Sequence, residues 1–242
     1  MSPRSIFGKV KAVPADSSSL DPLARDLPPI TSVLFDLDGT ILDTVALILE
    51  SYRHVHENEL AEHTLDPDHF RLRLGVPLWG VFRELVGDDA DRVDQLVDIY
   101  RAHNRAAHDR MVSAFPGVPE LMRELRGKEI RTGIVTSKMR EAVGRGLSIA
   151  AIEEYFDVIV TVDDVTHHKP HPEPVVKALS LLGSSPAETM YIGDAPADIG
   201  AGRAAGVRTG AVLWGPFTRQ ELAPHAPDHW FEQPQEILSV LS

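Results

Sequence analysis

Apolar residues change their spacing twice along the chain. Ile30 to Phe35 is a short run with β-branched members, hydrophobic on both faces, as in a strand buried within a parallel sheet. From about Val45 to Ser113 the pattern reads as helix after helix, broken at Gly75-Val76-Pro77 and Gly87-Asp88, with no intervening strand. The first of these helices is predicted over about Thr44 to Leu60, with Asp43 or Thr44 as its N-cap. After Phe115-Pro116-Gly117 strands and helices alternate. Strands are predicted over Ile130–Val135, Phe156–Val162, Met190–Ile192 and Val207–Leu213. Helices are predicted over Glu120–Arg126, Arg140–Ser148, Pro174–Leu182 and Pro196–Ala205, with a last one over Pro234–Leu241.

Such alternation predicts an α/β fold: a doubly wound, Rossmann-like parallel sheet with right-handed crossovers and helices on both faces. The helical block is then a smaller all-helical insertion, a cap over the sheet. The expected division is a core of residues 30–44 and 114–242 and a cap of residues 45–113. Residues 1–29, with Ser17-Ser18-Ser19 among prolines and no periodic pattern, are expected to be a flexible extension.

Composition narrows the chemistry. Acidic residues outnumber basic ones by 36 to 24, a formal charge of −12, which argues against a broad nucleic-acid-binding surface. A small anionic substrate is not excluded, because surface charge is screened within roughly 10 Å and a bound metal reverses the local sign. No apolar run is long enough to span a bilayer and no signal-peptide h-region precedes Pro29, so no membrane partner and a cytoplasmic location are expected. Without cysteine, disulfides, thiolate metal ligands and cysteine nucleophiles are excluded. The sequence leaves monomer and homodimer open.

Ligands of open α/β sheets bind beyond the carboxyl ends of the strands. Asp36 and Asp38 follow the first predicted strand, and Thr136, Ser137 and Lys138 the second. Lys169 follows the third, and Gly193, Asp194 and Asp198 the fourth. Taken singly, each reads as a turn, a helix cap or solvated surface. Together they point to phosphoryl transfer: carboxylates hold a hard divalent cation, while a hydroxyl, an ammonium and helix N-terminal amides hold phosphate oxygens.

Four stretches, read in order, resemble the motifs of the haloacid-dehalogenase-like (HAD) hydrolase superfamily: Phe35-Asp36-Leu37-Asp38-Gly39-Thr40, Ile134-Val135-Thr136-Ser137-Lys138, Lys169-Pro170-His171-Pro172-Glu173-Pro174 and Gly193-Asp194-Ala195-Pro196-Ala197-Asp198. The resemblance covers roughly residues 30 to 215 and implies a Mg²⁺-dependent phosphohydrolase working on a small phosphorylated molecule. Asp36 would be the nucleophile and Asp38 the general acid and base. Asp36, the Asp38 backbone carbonyl and Asp194 would hold Mg²⁺, with Asp198 behind them. Thr136, backbone amides near Leu37 and Ser137, and Lys169 would hold the phosphoryl oxygens. It also makes the loop of His167, His168 and His171 a phosphate-side loop rather than a zinc site.

The same resemblance separates neighbouring reactions. An acidic residue at Asp38 favours hydrolysis of an ester or anhydride over dehalogenation. A β-phosphoglucomutase-like enzyme would want a histidine and an arginine where Ile48 and Leu78 stand, although a sugar-phosphate mutase, or a binding module without turnover, stays as an alternative. The chain is similar to the phosphoglycolate-phosphatase-like subgroup. Phe156 to Val165 and Ala211-Val212-Leu213-Trp214 are especially similar to its bacterial inorganic pyrophosphatase branch, so phosphoglycolate and pyrophosphate are the leading substrates. Ala195 departs from the family's frequent Ser or Thr. The segment from Arg71 to Leu78 is expected to face the nucleophile, with Arg71 or Arg73 meeting a second anionic group. Trp79 and Trp214 are expected to serve packing.

Overall fold

The computed structural model describes residues 28–241; most of the extension expected at the N-terminus lies outside the described residues. Six parallel strands form one sheet: β1 (Ser32–Phe35), β4 (Arg131–Val135), β5 (Val158–Val160), β6 (Thr189–Gly193), β7 (Arg208–Val212) and β8 (His229–Phe231). Their spatial order is β5-β4-β1-β6-β7-β8. Alternate side chains of each central strand enter different cores. Val33, Phe35, Ile134, Met190 and Ile192 pack on the face covered by α4 (Val118–Gly127) and α5 (Arg140–Ala150). Leu34, Val135 and Tyr191 pack on the other, against α6 (Glu173–Leu182) and α7 (Pro196–Ala205). Both faces are therefore buried, which explains why these strands read as continuous apolar runs.

Connections run outward from β1 on one side to β4 and β5, then return to β6 and continue outward on the other. The direction reverses between β1 and β6, where such sheets bind ligands. Register makes the same point residue by residue. Phe35 lies opposite both Ile134 and Ile192, so Asp36, Thr136 and Asp194 leave three adjacent strands at one edge.

The chain departs from this edge through β2 (Leu42–Asp43) into helices α1 (Val45–Glu59), α2 (Leu78–Val86) and α3 (Ala90–Met111), and returns through β3 (Ser113–Ala114). The departing and returning segments pair with each other, antiparallel, Leu42 with Ala114 and Asp43 with Ser113. The three helices enclose their own apolar core, in which the Tyr52 ring stacks on Phe70 at 4.7 Å and meets Tyr100 at 4.8 Å and Phe82 at 5.7 Å.

Some expectations need correction. Thr44 stands at the N-cap of α1 as expected, but its side chain makes no capping bond; its hydroxyl is used elsewhere, as described below. The expected C-terminal α-helix is a run of 3-10 turns over Pro234–Val240. The third predicted strand is only Val158–Val160, and Val162–Asp164 already turns. The short edge strand β8 was not predicted. Among the described residues no helix is long and apolar enough to cross a membrane.

Candidate active site

β1 delivers Asp36 at the floor of a cavity of about 200 Å³ between the sheet edge and the helical insertion. The Asp36 amide bonds to Ile192 O at 2.8 Å, so pairing with the neighbouring strand continues up to the acid itself. Gly39, at φ 85°, turns the chain back at once; a side chain there would meet the Asp194 carboxylate at 2.7 Å. Gly215 leaves the same kind of space, since a Cβ on it would lie 2.5 Å from Asp194 Cβ.

The buried centre is a charge network. Lys169 Nζ donates to Asp36 Oδ1 at 2.8 Å and to Asp198 Oδ1 at 2.6 Å, with side chains only 2%, 6% and 2% exposed respectively. Asp198 Oδ2 accepts the Ala195 amide at 3.0 Å, and Tyr191 Oη lies 3.0 Å from Asp198 Oδ1. Thr40 donates to Asp194 Oδ1 at 2.8 Å. One carboxylate oxygen from each of Asp36, Asp194 and Asp198 falls within 4.8 Å of the others. Burial pushes the Asp36 carboxyl up to about 7, with Lys169 pulling the other way and Asp198 adding to the rise. Burial and the neighbouring Asp36 and Asp198 likewise hold Asp194 well above the usual carboxylate range. Burial alone would lower Lys169, but Asp198 and Asp36 raise it, so its ammonium stays charged.

Asp38 stands apart from this centre, on the cavity wall. Its Oδ1 accepts from Lys138 Nζ and from Thr44 Oγ1, both at 2.6 Å. Thr136 is buried, and its hydroxyl accepts the Lys138 amide at 3.2 Å. Ser137 Oγ donates to Gly75 O at 2.9 Å, bonding the sheet edge directly to the helical insertion.

The seven residues to which the resemblance gives site roles therefore border one region: Asp36, Asp38, Thr136, Ser137, Lys169 and Asp194 line the cavity, and Asp198 lies behind Lys169. Leu74 to Leu78 also line it, as expected. Arg71 does not turn inward. It is held by Asp68 at 3.1 Å, by Glu221 at 2.9 Å and by Pro216 O. Arg73 borders the cavity with its guanidinium engaged by Glu84 at 2.5 Å and His69 O. The absent hydroxyl at Ala195 has a reason: its methyl is buried among Leu74, Ile199 and Phe217, and a Cβ on Gly75 would come 3.3 Å from it. Trp214 packs on the core and donates to Thr40 O at 3.0 Å, whereas Trp79 is 46% exposed on the cavity rim. Sequence reasoning gave no role to Thr40 or Tyr191, read Thr44 only as a helix cap, and placed Lys138 at a strand end without a role of its own. Thr40 and Lys138 sit inside the motifs and were within reach; Tyr191 reads as strand core, and nothing local reveals its partner seven residues on.

The model of the haloacid dehalogenase-like hydrolase family matches residues 33–212. The chain belongs to that family. Pyrophosphatase PpaX of Anoxybacillus flavithermus is 39% identical over 212 residues, covering 88% of this chain and 97% of that one. A candidate haloacid dehalogenase-like hydrolase from Bacteroides fragilis superposes with a TM-score of 0.80 at 30% identity, over 86% of this chain and 99% of the other. A candidate phosphoglycolate phosphatase from Lactobacillus plantarum gives 0.77 at 25% identity, over 88% and 100%.

Proposed function

We propose that the chain is a Mg²⁺-dependent phosphohydrolase that cleaves a small phosphorylated metabolite through an aspartyl-phosphate at Asp36. Inorganic pyrophosphate and phosphoglycolate are its leading substrates. The observation that carries this reading is the buried Asp36 carboxylate, bonded to Lys169 and grouped with Asp194 and Asp198 at the floor of a covered cavity. Similarity to a pyrophosphatase over nearly its whole length puts pyrophosphate first.

The donor set fits a hard divalent cation: three carboxylates face one ammonium, and Gly39 and Gly215 keep side chains away from Asp194. Asp36, Asp194 and the Asp38 carbonyl would hold it. When bound, Mg²⁺ supplies charge neutralisation between nucleophile and substrate phosphate. The Asp36 carboxylate attacks phosphorus, and the bond from phosphorus to the leaving oxygen breaks. Asp38 gives that oxygen a proton, then takes one from the water that hydrolyses the acyl phosphate. Lys138 and Thr44 both hold Oδ1 of Asp38, which leaves Oδ2 to carry the proton. Lys169, the Thr136 hydroxyl and the amides near Leu37 and Ser137 hold the phosphoryl oxygens. Residues 45–113 act as the cap that excludes water.

Ile48 and Leu78 present hydrocarbon to the cavity and belong to the apolar core of the helices, so neither can orient a sugar acceptor. This favours water over transfer to a second substrate. The test is phosphate release from a panel of phosphorylated metabolites and pyrophosphate with Mg²⁺, alongside Asp36→Asn. Turnover that survives Asp36→Asn, or none on any substrate by the unaltered chain, defeats the reading.

A further inference from the structure

Two residues before and two residues after Lys169 stand imidazoles, His167 and His171, and Glu173 opens α6 two residues later. One ligand atom from each of the three lies within 4.8 Å of the others, a group separate from the Asp36, Asp194 and Asp198 cluster. The two rings stack at 4.5 Å with 29° between their planes. Both Nδ1 atoms turn to Glu173. His167 Nδ1 lies 2.7 Å from Glu173 Oε2, and the Glu173 amide donates to His171 Nδ1 at 3.2 Å. The carboxylate is fixed in place by the amides of Thr166 at 2.8 Å and His167 at 2.9 Å.

Against the reading that the resemblance gives this loop, we propose that His167, His171 and Glu173 form a second cation site, for a transition-metal ion such as Zn²⁺, Ni²⁺ or Cu²⁺, outside the cavity. Imidazole nitrogen prefers these ions, whereas Mg²⁺ prefers an all-oxygen set, so the two sites select different metals. Two histidines and a glutamate with positions open to solvent match the three-ligand sites that retain water. The positive end of α6 opposes a cation here, and the Glu173 charge offsets it. The loop between the imidazoles is only three residues long and carries Lys169, so an ion held at both ends would clamp the residue that touches Asp36.

The untagged full chain, in saturating Mg²⁺, is titrated with Zn²⁺ by calorimetry and with Cu²⁺ by electron paramagnetic resonance. Expected are one bound equivalent and a Cu²⁺ spectrum split by two imidazole nitrogens. His167→Ala and His171→Ala should each weaken binding at least about 10-fold with an unchanged circular dichroism spectrum, while Asp194→Asn binds as before. The proposal fails if no ion binds at about 100 µM, if binding is unaffected by both histidine changes, or if Asp194→Asn alone abolishes it. None of these readouts depends on turnover, so they stand or fall separately from the phosphohydrolase assignment.

Discussion

Two places among the described residues set a side-chain cation between two carboxylates, and they behave in opposite ways. Lys169 lies between Asp36 and Asp198, nearly out of reach of water. Arg71 lies between Asp68 and Glu221, where the helical insertion meets α8 (Arg219–Leu222) of the core, with side chains 24%, 55% and 30% exposed. In the first, loss of hydration dominates and lifts Asp36 to about 7. In the second, the Arg71 side chain and the Thr218 amide and hydroxyl hold Glu221 down at about 2. The same charge pattern thus stores unfavourable free energy inside, which a bound cation would relieve, and makes only a weak clasp outside.

The contrast can be broken most severely at Asp36. Asp36→Asn should reduce turnover by on the order of 10⁴-fold or more, measured as phosphate release. Lys169→Met leaves two buried carboxylates without their ammonium. It should cost about 3–5 kcal/mol in denaturant unfolding at pH 8 without metal, and about 10²–10³-fold in rate. A third effect is set by protons. The native Asp36 carboxyl titrates near 7 and the unfolded one near 3.8, so between these values the native state binds more protons. Metal-free stability from this group is full below about pH 4 and is lost as pH rises through 7, by on the order of a few kcal/mol. Saturating Mg²⁺ should flatten that dependence in thermal melts.

Smaller effects belong to the seam between insertion and core. Ala195→Val overfills the contact with Leu74 and Gly75 and should cost about 1–3 kcal/mol in denaturant unfolding. Arg71→Ala removes the exposed clasp. It should lower Tm by no more than about 2 °C, an effect that shrinks with added salt. A large loss for Arg71→Ala would mean that the clasp, and not the seam beneath it, holds the insertion in place.

What was legible in the sequence followed from local pattern. α7 spans Pro196–Ala205 as the spacing indicates, since Pro196 and Gly206 mark both ends. The acids and Lys169 were legible because each follows a buried strand or sits in a motif. β8 was not: three residues, His229 to Phe231, are too few for an alternation to register. Contacts between distant segments were equally silent. Arg71 carries no mark that its partner is Glu221, and Thr44 reads as a helix cap until the fold brings Asp38 to its hydroxyl.

The pairing of Leu42–Asp43 with Ser113–Ala114 has a mechanical consequence. Two separate tethers would let the block above swing or twist about either one. Stitched together, they leave residues 45–113 on one paired connection, with the bond from Ser137 Oγ to Gly75 O at 2.9 Å as a further tie to the sheet edge. Adding one residue to either tether alone would shift the stitch by a position and leave the block facing the wrong way.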